Sequence, residues 1–121
     1  MGELPETVRA DLRRYQDVTE KLRVVLVNKQ QVQLQLSEVE DALKELERCG
    51  EGDATYKIIG NIMVAKSREE LVRELSERKE TLEIRLSSLQ KQENLLKKQL
   101  SELEKKLTRK LGYEGQGQSA G

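Results

Sequence analysis

No histidine, tryptophan or phenylalanine occurs in the 121 residues, and cysteine and proline occur once each. Without histidine the chain has no imidazole for general acid–base work and no imidazole metal ligand. One cysteine excludes both a disulfide framework and a four-cysteine zinc site. Three tyrosines are the only aromatics and hydrophobic residues reach just 36%, so a compact single core would be short of the large side chains that dominate burial. No apolar run approaches a membrane span and the N-terminus carries no cationic and apolar signal pattern, which predicts a soluble, cytoplasmic protein. An excess of either charge is missing as well: 22 Lys and Arg offset 22 Asp and Glu, without the basic surplus that binding to phosphate backbones leaves in a composition. The absences point away from an enzyme, a cofactor carrier or a nucleic-acid binder. The 36% of charged residues, mostly Glu, Lys and Arg among leucines, is instead the composition of long helices and coiled coils.

Apolar spacing bears this out. Val18, Leu22, Val25, Lys29, Val32, Leu36, Val39, Leu43 and Leu46 follow by alternate steps of four and three, and eight of these nine are apolar. The spacing predicts a coiled-coil helix over residues 5–49. Upstream, Val8, Leu12 and Tyr15 continue the stripe, but two successive steps of three lead from Leu12 to Val18, which predicts a stammer that overwinds the coil. Pro5 suits the first turn, and Gly50 is the expected left-handed terminus. Ser67-Arg68-Glu69-Glu70 reads as a capping box opening a second helix over 67–111. Its seam, Val72, Leu75, Lys79, Leu82, Leu86, Leu89, Glu93, Leu96, Leu100, Leu103, Leu107 and Lys110, is apolar at nine of twelve positions. Residues 112–121 are mostly Gly, Gln and Ser with almost nothing to bury and are expected to be disordered. Two helices of nearly equal length around a short connection favour an antiparallel helical hairpin within a single domain.

The connector carries a different signal. Thr55 to Ile59 and Ile62 to Ala65 are β-branched runs around Gly60-Asn61, which predicts a β-hairpin over 54–66. One face would carry Ile59, Ile62 and Val64, the other Tyr56, Ile58, Met63 and Ala65. A lone two-stranded hairpin with both faces apolar is marginal in water, so the sheet is expected to be completed by other chains.

Conventional chemistry finds little purchase. No phosphate-binding loop is present, and Gly112, Gly115 and Gly117 lie in the polar tail with no strand before them and no helix after. The acids from Glu38 to Asp53 read as a solvated helix face, since helical carboxylates do not form the looped oxygen cage of a cation site. Cys49 has no activating neighbour and reads as structural. Near the free ends, Leu4, Val8, Leu12, Leu107, Leu111 and Tyr113 lie where helices fray and are expected to offer apolar surface for binding. Lys97, Lys98, Lys105, Lys106, Arg109 and Lys110 outnumber the local acids and make the distal part of the second helix basic.

These residues together resemble a known family. Helix, single hairpin and helix in that order are similar to the beta subunit of archaeal prefoldin along nearly the whole chain. Tyr56-Lys57-Ile58-Ile59-Gly60 matches the family's entry to its hairpin, and Leu82-Glu83-Ile84-Arg85-Leu86, with Leu89 and Gln92-Glu93, resembles its second helix. Val32-Gln33-Leu34-Gln35-Leu36 onward is similar to the first, although any heptad helix comes close. Cys49-Gly50-Glu51-Gly52-Asp53 stands where the family commonly has a Pro or an acidic pair.

The resemblance implies a mainly α fold, a long antiparallel coiled-coil hairpin whose β-hairpin connector joins an intersubunit β-barrel built by two alpha-type and four beta-type subunits. It implies a chaperone that uses no ATP and no cofactor, captures non-native polypeptides at its coiled-coil tips and delivers them to a group II chaperonin. Carried onto this chain, Tyr56, Ile58, Ile59, Gly60, Ile62, Met63 and Val64 would build the barrel. Leu4, Val8, Leu12, Leu107, Leu111 and Tyr113 would meet clients, and Lys105, Lys106, Arg109 and Lys110 are candidates for docking the chaperonin. The alternative from the residues alone is a structural scaffold or tether whose seams bind a defined partner helix.

Overall fold

The computed structural model describes residues 4–112. Its elements are α1 (Glu6–Arg48), β1 (Tyr56–Ile59), β2 (Ile62–Ala65) and α2 (Arg68–Lys110). The chain divides into two compact units, Met1–Asn28 with Leu89–Gly121, and Lys29–Ser88. In the first, Asp11 meets Lys110 and Tyr15 meets Glu104. In the second, Glu40 meets Lys79 and the Leu46 carbonyl meets Arg68. Within each unit an advance along α1 is matched by a retreat along α2, so the helices are antiparallel there.

Burial follows the heptad. Val18, Val25, Val32 and Val39, seven residues apart on α1, are buried, as are Leu82, Leu89, Leu103 and Leu107 on α2. Leu22, Leu36, Leu43 and Leu46 alternate with the valines and are half-buried, because two helices enclose little more than the seam between them. Each buried valine contributes about 1.5–3 kcal/mol relative to an exposed one.

The expected stammer is absent. Seven residues before Val18 the buried position is Asp11, 8% exposed, whereas Leu12 is half-buried. Val8, Asp11, Tyr15 and Val18 then follow by steps of three, four and three, and the heptad runs unbroken into the first turns of α1. A count that prefers the apolar Leu12 to the adjacent carboxylate creates the slip.

The end of α1 also departs from expectation. Among the described residues only Gly60 and Gly112 have positive φ, so Gly50 is not a left-handed cap. Instead the Cys49 N–H tightens onto the Leu46 carbonyl at 3.2 Å, and Arg68 Nε donates to the same oxygen at 2.7 Å. Gly50 N–H donates to Asp53 Oδ2 at 2.7 Å and Asp53 N–H returns to the Gly50 carbonyl at 3.1 Å. A tightened last turn and a side chain from α2 thus serve the terminal carbonyls that a left-handed glycine would otherwise satisfy. At the start of α2, Ser67 Oγ accepts the Glu70 N–H at 3.1 Å, the bond expected of a helix N-cap. Gly112, at φ 104°, follows its last turn.

Candidate functional site

β1 and β2 pair antiparallel with Tyr56 opposite Ala65, Lys57 opposite Val64, Ile58 opposite Met63 and Ile59 opposite Ile62. Gly60 at φ 59° takes the first turn position while Asn61 keeps a negative φ, the pattern of a type II′ turn, whose twist suits adjacent strands. Opposed residues share a face, so Tyr56, Ile58, Met63 and Ala65 lie on one side and Lys57, Ile59, Ile62 and Val64 on the other. Val64 is half-buried. Ile58 is 73% exposed, Met63 64%, Ile62 61%, Tyr56 53% and Ile59 48%. So much exposed apolar surface on eight strand residues is more than a lone two-stranded hairpin sustains in water.

One carboxylate fixes this surface to the helix. Glu74, in the second turn of α2, receives Lys57 Nζ at 2.9 Å and Lys66 Nζ at 2.7 Å. Lys57 lies on the hairpin face with Ile59 and Ile62, so that face is tied toward α2 and the Ile58–Met63 face is the opposite one. The base of the hairpin is closed by the Lys66 N–H on the Thr55 carbonyl at 3.1 Å and by the Thr55 hydroxyl on the Lys66 carbonyl. The hydrogen bond from Lys66, then that from Lys57, hold the Glu74 carboxyl at about 2 against an ordinary 4.5, although partial desolvation pulls the other way. Because the folded value is depressed, the tie is fully present above pH 4.5 and is lost as pH falls toward 2. Acid titration followed by amide exchange should therefore loosen the hairpin in that window, and Glu74→Gln should remove the response.

The free ends belong to the other unit. Leu4 and Leu111 are 43% and 48% exposed, but Val8 and Leu107 are buried at 1% and 8%, and Leu12 is half-buried. Tyr113 lies outside the described residues. Fraying does not expose the seam in this state: of the five described apolar residues expected at the ends, two are turned inward. Asp11, one turn beyond Val8 on α1, is 2.7 Å from Lys110 Nζ and 3.8 Å from Lys106 Nζ. Those lysines, with the hydrogen bond from Lys110 leading, hold the Asp11 carboxyl below its ordinary value. Tyr15 Oη donates to Glu104 Oε1 at 3.1 Å, which raises the tyrosine's pKa. All four candidate docking cations are exposed, and two of them, Lys106 and Lys110, also reach the Asp11 carboxylate.

Asp11 and Glu74 were not marked by composition or motif. Asp11 is found by continuing the seven-residue count back from Val18; for Glu74 nothing in the local pattern separates it from the other acids of α2. A shallow apolar groove of about 410 Å³, lined by Val24, Val25, Leu95 and Leu96 with Glu20, Lys21 and Gln92 at its rim, also lies in the unit with the free ends. Among the described residues no group of three or more His, Cys, Asp or Glu is arranged to hold a metal, and no helix is long and apolar enough to cross a membrane.

Comparison with known proteins agrees with this architecture. The family model described as "Prefoldin subunit" matches residues 9–114. "Prefoldin subunit beta" of Caldivirga maquilingensis is 42% identical over 95% of this chain and 94% of its own, and that of Archaeoglobus fulgidus is 38% identical over 88% and 92%. The crystal structure of the prefoldin beta subunit from Thermococcus strain KS-1 superposes with a TM-score of 0.83 at 36% identity, covering 90% of this chain and 96% of that one. With helix, hairpin and helix in the same order and relatives matched along nearly their whole length, the chain belongs to the prefoldin beta-subunit family.

Proposed function

We infer that the chain works in the cytoplasm as the beta-type subunit of an ATP-independent holdase. Its partners are further copies of itself and an alpha-type prefoldin subunit, in a hexamer of two alpha and four beta chains. The observation that carries the assembly reading is the exposure of Ile58 and Met63, 73% and 64%, on a hairpin with unpaired strand edges. Tyr56, Ile58, Ile59, Gly60, Ile62, Met63 and Val64 then complete a shared β-barrel. Clients are held by the ends of the coil, through Leu4, Val8, Leu12, Leu107, Leu111 and Tyr113, and handed to a group II chaperonin.

The energetics suit capture without a nucleotide cycle. A client that buries a few side chains at one end gains roughly 1.5–3 kcal/mol from each before the costs of ordering are subtracted. Such contacts are weak and reversible alone. Several ends tethered to one body raise the local concentration for the next contact, so retention needs no deep pocket.

The complex assembled with an alpha-type subunit should suppress aggregation of several unrelated denatured proteins without ATP. Selective binding of one folded partner helix would favour the scaffold reading. For delivery, the exposed Lys105, Lys106 and Arg109 are the cations to test: reversing their charge should weaken chaperonin docking at low salt, and the difference should shrink at high salt. Docking that is unchanged at low salt would remove these residues from the interface.

A further inference from the structure

Near the free ends, the valine register of α1 begins with a carboxylate. Counting by sevens along one register of α1 gives Asp11, Val18, Val25, Val32 and Val39, all buried. Only the first is charged, and its side chain retains 12% exposure. It is met by Lys110 at 2.7 Å and Lys106 at 3.8 Å, one helical turn apart on α2. Val8 precedes Asp11 by one turn on α1 and Leu107 falls between Lys106 and Lys110 along α2; these are the two apolar residues of the ends that are withdrawn from solvent.

A valine at position 11 would close this end by apolar burial, which ordinary salt hardly weakens. A seam carboxylate closes it only while its lysines are in place, because a charge left unpaired in an apolar seam is unfavourable and draws water in. Such a site holds one register, as polar seam positions do in other coiled coils, at a cost in stability. It also opens more readily than its neighbours. We propose that Asp11, with Lys106 and Lys110, is a latch that holds the ends of α1 and α2 together over Val8 and Leu107, so that its opening sets how often this cryptic apolar surface is offered to a non-native chain. Asp11 is a positioning residue, touching no client itself. The functional consequence rests on the reading of the ends as the client surface, whereas the latch is a property of the unliganded protein and is tested without a client.

Amide hydrogen exchange on the full-length chain in its assembled complex reads the latch directly. Asp11→Asn, which keeps the side chain's size and removes its charge, should speed exchange of residues 10–12 and 107–111 several-fold while leaving residues 29–88 unaffected. Raising salt from about 0.05 M to about 1 M should speed the same amides in the unsubstituted protein. Asp11→Val should slow them and abolish the salt response. Exchange unchanged in Asp11→Asn, or a salt response that survives in Asp11→Val, would overturn the latch. Client capture provides the second readout: Asp11→Val should suppress aggregation less well at unchanged complex mass. Slowed exchange with undiminished capture would keep the latch and overturn the assignment of clients to the ends.

Discussion

Replacing Ile58 and Met63 together with aspartate is expected to leave two folded helices that no longer assemble. The two residues are directly opposed across the strands and are exposed in the isolated chain, so neither supports the seam. In a shared sheet each would bury its side chain, a gain of about 1.5–3 kcal/mol apiece. Paired aspartates forfeit that gain, repel one another across the strands and would have to be desolvated at the contact. Because all four beta-type subunits would carry the change at once, the effect on mass should be all-or-none. Sedimentation or light scattering with the alpha-type subunit should show separate chains, with the helical circular dichroism retained. Ile58→Leu, which conserves volume, should assemble normally. A full-sized complex from the double aspartate variant would show that the other face, with Ile59 and Ile62, forms the contact.

Removing residues 1–12 and 107–121 should have the opposite profile, keeping the complex and losing suppression of client aggregation. The deletion takes away Leu4, Val8, Leu12, Leu107 and Leu111 and both sides of the Asp11–Lys110 pair. The Lys29–Ser88 unit, which holds the hairpin and the Glu74 ties, is untouched. Three seam residues below 10% exposure, Val8, Asp11 and Leu107, go with the deleted segments, so the shortened ends should exchange amides faster near Val18 while mass stays constant. Full suppression by a truncated complex of the correct mass would reject the ends as the capturing surface.

Both helices and the hairpin are legible in the residues because each rests on short-range periodicity. Valine and leucine at steps of three and four specify which helix face is covered, and Gly60-Asn61 between β-branched runs specifies the turn and hence which residues share a strand face. Asp11 is where this reading goes astray. Spacing carries the seam across the charged Lys29, Lys79 and Glu93 because apolar residues flank them in register, whereas beside Asp11 the neighbouring Leu12 offers a false continuation. Gly50 misleads for a related reason: a glycine after a helix suggests a left-handed cap, but the alternative supplied by Arg68 on the other helix is a tertiary contact that no local pattern carries. Ile84 and Leu34, 65% and 62% exposed, show that apolar identity alone does not mark the seam. For the site, the hairpin surface is local and readable. The state of the ends depends on which side chains of α1 meet which of α2, and that register emerges only in three dimensions.

The grip of Glu74 on two lysines has a mechanical consequence. Lys57 lies on β1 and Lys66 immediately follows β2, so the same carboxylate reaches both arms of the hairpin. A ribbon joined to the helices only through its two covalent ends could swing about the line between them, like a door on two hinges. A third attachment away from that line turns the hinge into a tripod. Rotation of the first turns of α2 about their own axis is then passed to the strand plane as torque through a carboxylate that grips both arms.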